Sequence, residues 1–164
     1  MVYIMEILTD GGCRGNGRAS AIGSAAAVFK TKHGYQSWTS SLPAYPPPTN
    51  QRAEIRAIIV ALELALEKFD RLDHNPALDV KIYSDSRYAV DCMTKWIYKW
   101  ANNGWINYAG NSVANRDLLE EASDLDDRLK EEGDVTYIWI PREKNKMADE
   151  ICNEDMDQQC DDSG

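Results

Sequence analysis

Glu6-Ile7-Leu8-Thr9-Asp10-Gly11-Gly12-Cys13-Arg14-Gly15-Asn16-Gly17 sets the frame for the rest of the chain. From Tyr3 to Leu8 the residues are apolar apart from Glu6, a pattern that reads as a strand. That strand carries Asp10 to its end, where Gly11, Gly12, Gly15 and Gly17 predict a tight turn. Glycines beside a firmly held carboxylate leave space for a backbone or a ligand to approach. An Asp before Gly-Gly is also an ordinary turn former. Its meaning therefore depends on whether other carboxylates stand at the ends of other core elements, and three do.

Outward from this stretch, Ala21 to Lys30 reads as a second strand and Tyr35 to Leu42 as a third, joined by a turn at His33-Gly34. Three sequential strands with short connections predict an antiparallel meander. Pro43, Pro46, Pro47 and Pro48 then form an extended linker. Thr49 can cap a helix whose Ile55, Ile58, Ile59, Leu62, Leu66 and Phe69 recur at helical spacing. Leu78 to Tyr83 is a fourth strand, closed by Ser84-Asp85-Ser86, and Arg87 to Trp100 reads as a kinked helix. Asn102-Asn103-Gly104 ends it, and a Trp/Tyr/Asn loop follows to Ser112. Leu118, Leu119, Ala122, Leu125 and Leu129 mark an otherwise acidic helix. Val135 to Ile140 is a fifth strand, stopped by Pro141, and Met147 to Met156 a last helix. The order β-β-β-α-β-α-α-β-α predicts an α/β fold: a five-stranded mixed sheet, three strands antiparallel plus two more, flanked by helices.

A length of 164 residues suggests one domain, and 43% apolar residues suffice for a core. No apolar run approaches the roughly 18 residues of a membrane span, and no signal-peptide pattern opens the chain. Cys13, Cys92, Cys152 and Cys160 are scattered and read as reduced thiols of an intracellular protein. The formal charge of −9 argues at first against a nucleic-acid partner. Its distribution reverses that reading. No Asp or Glu occurs from Gly11 to Ala53 or from Cys92 to Arg116, whereas 17 of the 27 acidic residues follow Arg116. The molecule is expected to carry two electrostatic faces.

The four carboxylates are Asp10, Glu54 in the first turns of the first helix, Asp85 at the end of the fourth strand, and Asp149 near the start of the last helix. Sites in open α/β sheets gather at strand ends and helix starts, so these four can converge. Gathered without compensation they would repel and hold their protons more tightly. A hard divalent cation resolves the conflict, and Mg²⁺ suits carboxylates that share a phosphate-bearing substrate.

Asp10-Gly11-Gly12-Cys13, Thr49-Asn50-Gln51-Arg52-Ala53-Glu54, Ser84-Asp85-Ser86, Gly104-Trp105 and Asn145-Lys146-Met147-Ala148-Asp149-Glu150 together resemble the type 1 ribonuclease H family. They occur in that family's order across nearly the whole chain. The resemblance implies the ribonuclease H-like fold over residues 1–158, followed by an acidic, disordered tail over 159–164. It implies endonucleolytic hydrolysis of the RNA strand of an RNA/DNA hybrid, with two Mg²⁺ ions and Mn²⁺ able to substitute. Asp10 would bridge both ions, Asp149 complete the site that activates water, and Glu54 and Asp85 serve the leaving-group side. No protein partner is evident, and a monomer is expected.

The resemblance also assigns a substrate surface. Asn16, Asn50 and Gln51 match positions that touch the RNA backbone or minor-groove edges, where side-chain amides can read the 2′-OH. Thr49 and Asn115 match positions that hold a DNA-strand phosphate. Trp96 and Trp100 lie where the family protrudes to cradle the DNA strand, although their i, i+4 spacing suits a buried helix face equally well. Two departures stand out. Trp100 to Asn115 contains no Lys or Arg, where relatives are often strongly basic. The Trp139-to-Asn145 loop is short and lacks the His that many relatives use there, which lowers expected turnover. A catalytically weak or silent hybrid-binding module is the alternative, and retention of all four carboxylates argues against it.

Overall fold

The computed structural model describes residues 2–162. β1 (Val2–Arg14) is the axis of a five-stranded sheet with β2 (Ile22–Thr31), β3 (Gly34–Ser41), β4 (Ala77–Ser84) and β5 (Gly133–Trp139), in the order β3-β2-β1-β4-β5. The β1–β2 and β2–β3 pairs are antiparallel; β1–β4 and β4–β5 are parallel. The mixed sheet expected from the sequence is the one observed.

Helix α1 (Asn50–Asp70) packs against β1 and β2, and α5 (Lys146–Asp162) packs against β2 and β1 from the opposite face. β2 is therefore covered on both sides, and Gly23 to Phe29 is buried throughout. A strand buried on both faces does not alternate, and the run Ala25-Ala26-Ala27 keeps it thin enough for both helices to close. α1 turns Ile55, Ile58, Ile59, Leu62 and Phe69 into the main core, as the periodicity predicts.

The segment expected as one kinked helix comprises α2 (Arg87–Asp91), a π-helical turn (Cys92–Trp96) and α3 (Ile97–Asn103). α3 ends at Gly104, whose φ of 80° is left-handed. α4 (Arg116–Lys130) buries Leu119, Ala122 and Leu129, and also Asp126. The Asp126 carboxylate is fully buried yet satisfied. It accepts from Tyr137 Oη at 2.6 Å and Tyr98 Oη at 3.0 Å and lies 3.1 Å from Lys130 Nζ, tying α3, α4 and β5 together.

Two expectations need correction. β1 does not turn at Gly11-Gly12: it continues to Arg14, and the turn falls over residues 15–20. Asp10 is thus inside a strand, not at its end. Gly11 has a different task, because a Cβ there would lie 2.2 Å from the Ala53 carbonyl carbon and 2.4 Å from the Glu54 nitrogen. The glycine lets the first turn of α1 rest directly on β1. The second concerns the acidic C-terminus, where α5 runs through Asp162 and Gln159 Nε2 donates to Gly23 O at 3.1 Å. Residues 163–164 lie outside the described residues.

Gly11→Ala should therefore cost about 2–3 kcal/mol, as overpacking does in a close-packed interior. A urea titration reads this as a lower midpoint at an unchanged slope. A wild-type midpoint would mean that α1 can retreat from the strand.

Candidate active site

The strand register builds the site. The parallel β1–β4 ladder ends with Thr9 opposite Ser84. The next residue on each chain is a carboxylate, so Asp10 on the continuing β1 and Asp85 beyond the end of β4 become neighbours. Gly11, past the end of the β4 ladder, donates its N–H to Glu54 Oε2 at 3.2 Å, drawing the third carboxylate in from α1. Carboxylate oxygens of Asp10, Glu54 and Asp85 all lie within 4.8 Å of one another. Asp149, in the first turn of α5, stands outside that group of three but close enough to Asp10 to strengthen its hold on a proton. All four carboxylates singled out in the sequence meet at one place.

The electrostatics follow from this crowding. Burial first, then the charge of Asp85 and contact with Asp149, push the Asp10 pKa from 3.8 up to about 8, against a small lowering from Glu54. Burial, together with the charges of Asp10 and Asp85, also holds Glu54 well above the usual carboxylate range. Clustered oxygen donors with raised proton affinity are a donor set suited to a hard divalent cation.

Asn145 was part of a motif in the sequence but carried no role of its own. Fully buried, it donates through Nδ2 to Thr9 O at 2.8 Å and to Asp85 Oδ2 at 3.2 Å. It thus fixes Asp85 relative to the strand that bears Asp10. Sequence signals little of this, since an Asn before a helix reads as a cap. Arg52 was also missed. Its guanidinium is buried and grips Asp117 in a bidentate pair at 2.9 and 2.7 Å, with Asn115 Oδ1 at 3.5 Å.

The expected substrate residues divide into two groups. Asn16, Thr49 and Asn50 assemble at the start of α1: Asn16 Oδ1 accepts from Asn50 N at 2.7 Å, and Thr49 Oγ1 caps the helix from Arg52 N at 3.1 Å. Gln51 is exposed beside them. Asn115, at a left-handed φ of 62°, connects to this group through Arg52 and donates to Tyr88 Oη at 3.0 Å. Trp96 and Trp100 form the second group, with ring centroids 5.6 Å apart; Trp96 is 37% exposed while Trp100 packs partly against the core. A groove of about 490 Å³ lies at the opposite end of the sheet, between the start of β1, the β2–β3 turn and the last turns of α1, and shares no residue with the carboxylates.

The family model described as RNase H matches residues 3–158. The chain is 31% identical over 159 residues to a ribonuclease H of Erythrobacter litoralis, covering 94% of this chain and 97% of that one. It is 35% identical over 150 residues to a ribonuclease H of Haemophilus influenzae, covering 92% of this chain and 85% of that one. Among solved structures, LC11-RNase H1 in complex with an RNA/DNA hybrid superposes with a TM-score of 0.69 at 23% identity, covering 95% of this chain and 99% of that one, a likeness of fold. Fold and site define a carboxylate-cluster protein on a mixed sheet. More specifically, the chain belongs to the ribonuclease H family.

A raised carboxyl pKa stabilises the fold most below its unfolded value, near 3.8, and that contribution is lost as pH rises through about 8. Without divalent ions, wild-type melting temperature should therefore fall relative to Asp10→Asn between pH about 5 and about 9. Because cation binding must expel the proton, the rise in melting temperature on adding Mg²⁺ should grow from pH about 6 to about 8 and grow less in Asp10→Asn, where only Glu54 keeps a raised proton affinity. A pH-independent rise in the wild type would contradict this.

Proposed function

We propose that this chain is an endoribonuclease that hydrolyses the RNA strand of RNA/DNA hybrids, leaving 5′-phosphate and 3′-hydroxyl ends. The observation that carries the reading is the convergence of Asp10, Glu54 and Asp85 within 4.8 Å, with Asp149 against Asp10. Membership in the ribonuclease H family and the fold shared with a hybrid-bound relative support it. Residues 1–158 are the catalytic domain in this reading.

Asp10, Glu54, Asp85 and Asp149 would hold divalent cations, two Mg²⁺ ions with Mn²⁺ able to substitute. Such ions, when bound, supply an activated water and stabilise charge on the leaving oxygen. The chain's own residues do the rest. Asn145 orients Asp85, and the Gly11 amide orients Glu54. Asn16, Asn50 and Gln51 offer amides to the minor groove of the hybrid, where the 2′-OH distinguishes RNA from DNA. Thr49 and Asn115 take a phosphate of the DNA strand, an arrangement that Arg52 stiffens from beneath. Trp96 gives its exposed ring to the DNA strand, and Trp100 mainly supports it.

We place the enzyme inside the cell as a monomer, in keeping with its scattered cysteines. Among the described residues no helix is long and apolar enough to cross a membrane. The second reading, a silent hybrid-binding module, is less favoured because a binder has no use for four carboxylates facing phosphates.

Cleavage of a labelled hybrid in Mg²⁺, beside matching RNA and DNA duplexes, tests the proposal. Cutting of the hybrid alone, lost in Asp85→Asn by a factor of about 10³ or more, is expected. Retained hybrid binding without cutting in either Mg²⁺ or Mn²⁺ would favour the silent module. Because 100–115 carries no cation, the affinity should also depend weakly on salt; a log–log slope of about −6 or steeper would overturn that expectation.

A further inference from the structure

Arg87 follows Asp85 by two residues, opens α2 and is exposed. Its guanidinium carbon lies 3.9 Å from the ring centroid of Trp139. The indole N–H of Trp139 in turn donates to the backbone carbonyl of Asp85 at 3.1 Å. The register explains the meeting, since Trp139 on β5 stands opposite Ser84 at the end of β4. One aromatic ring is thus fastened to the backbone of a site carboxylate and carries a cation on its face.

Among the described residues that cation has no acidic partner. Arg14, Arg52, Arg56, Arg71 and Arg116 each pair with a carboxylate, whereas no ion pair or hydrogen bond engages the Arg87 guanidinium among the described residues. Arg18, Arg128 and Arg142 likewise show no ion pair among the described residues; what sets Arg87 apart is the ring that holds it beside Asp85. Stacking on a ring satisfies the flat face of a guanidinium and leaves its N–H edge free. It also removes rotamer freedom in advance, so little entropy is lost when that edge meets an anion. A planar donor edge matches phosphate oxygens.

We infer that Arg87 is a substrate-binding residue that takes a backbone phosphate of the RNA strand beside the one being cleaved, with Trp139 as its positioning residue. The inference rests on the hybrid-cleavage reading and adds a phosphate contact that the acid-free protrusion does not supply.

Initial-rate kinetics on the hybrid across a salt series test it, using Arg87→Ala, Arg87→Gln and Arg87→Lys. Arg87→Ala should raise KM roughly tenfold, as loss of a hydrogen bond to a charged group does, with a smaller change in kcat. The log–log salt dependence of KM should become shallower by about one, the signature of one lost phosphate contact. Arg87→Lys should keep the slope while recovering only part of the KM, because charge survives and the planar stack does not. Wild-type KM and slope in Arg87→Ala would overturn the inference. So would a raised KM at unchanged slope, which assigns Arg87 to packing on Trp139. Should Arg87→Ala fail to fold, the Gln and Lys variants decide the same question, since the slope must fall in the first and persist in the second. A wild-type chain that neither binds nor cuts the hybrid removes the parent reading and this inference with it, an outcome visible before any variant is made.

Discussion

Three carboxylates within 4.8 Å of one another repel, and burial deepens the cost by removing the water that would screen them. The rest of the molecule bears this load. Asp10 projects from the central strand of a sheet covered on both faces, so it cannot relax away without disturbing the core. Glu54 is drawn in by the Gly11 amide, and Asp85 is held by Asn145 and, through its carbonyl, by Trp139. Part of the repulsion is discharged by protonation, with Asp10 titrating near 8. A divalent cation would relieve the rest, and metal affinity would then follow directly from how the backbone forces the carboxylates together.

Close packing of α1 on β1 is the structural condition for this. Residue 11 and residues 53 to 54 must approach more closely than any side chain permits, and a glycine at 11 allows it. The same contact sets the start of α1 beside Asn16. The carboxylates read as holding metal and the amide group read as contacting the RNA strand thus share one origin in the packing of a helix terminus against a strand. Arg52 extends the arrangement to Asn115 and Asp117 at the start of α4, linking the two places read as holding the DNA strand.

Charge is segregated to match. Acidic residues crowd α4 and α5, where Asp126 serves the core and Asp157 pairs with Arg14. The segments around Gly11–Ala53 and Cys92–Arg116 are free of acids, so the surface facing a polyanion carries little repulsion outside the carboxylate cluster itself. Affinity would then rest on shape, amide contacts, aromatic surface and a few placed cations, and less on a broad basic patch.

The sequence by itself determined the order of the elements, the apolar faces of α1 and α4, and the identity of the four carboxylates. Periodicity and motif spacing are local properties, and they survive without coordinates. Tertiary structure decided what local signals leave open. Gly11 reads as a turn residue, because a glycine needed for close helix approach looks the same as one needed for a bend. Asp126 reads as one more acid on an acidic helix, because its partners Tyr98 and Tyr137 come from other elements. Asn145 stands in the sequence only as part of a motif, and Arg87 and Trp139 are 52 positions apart until parallel pairing of β4 with β5 brings those two together. Residues whose roles depend on partners distant in sequence gain those roles only when the sheet register is fixed, and that register is set by the packing of the whole core.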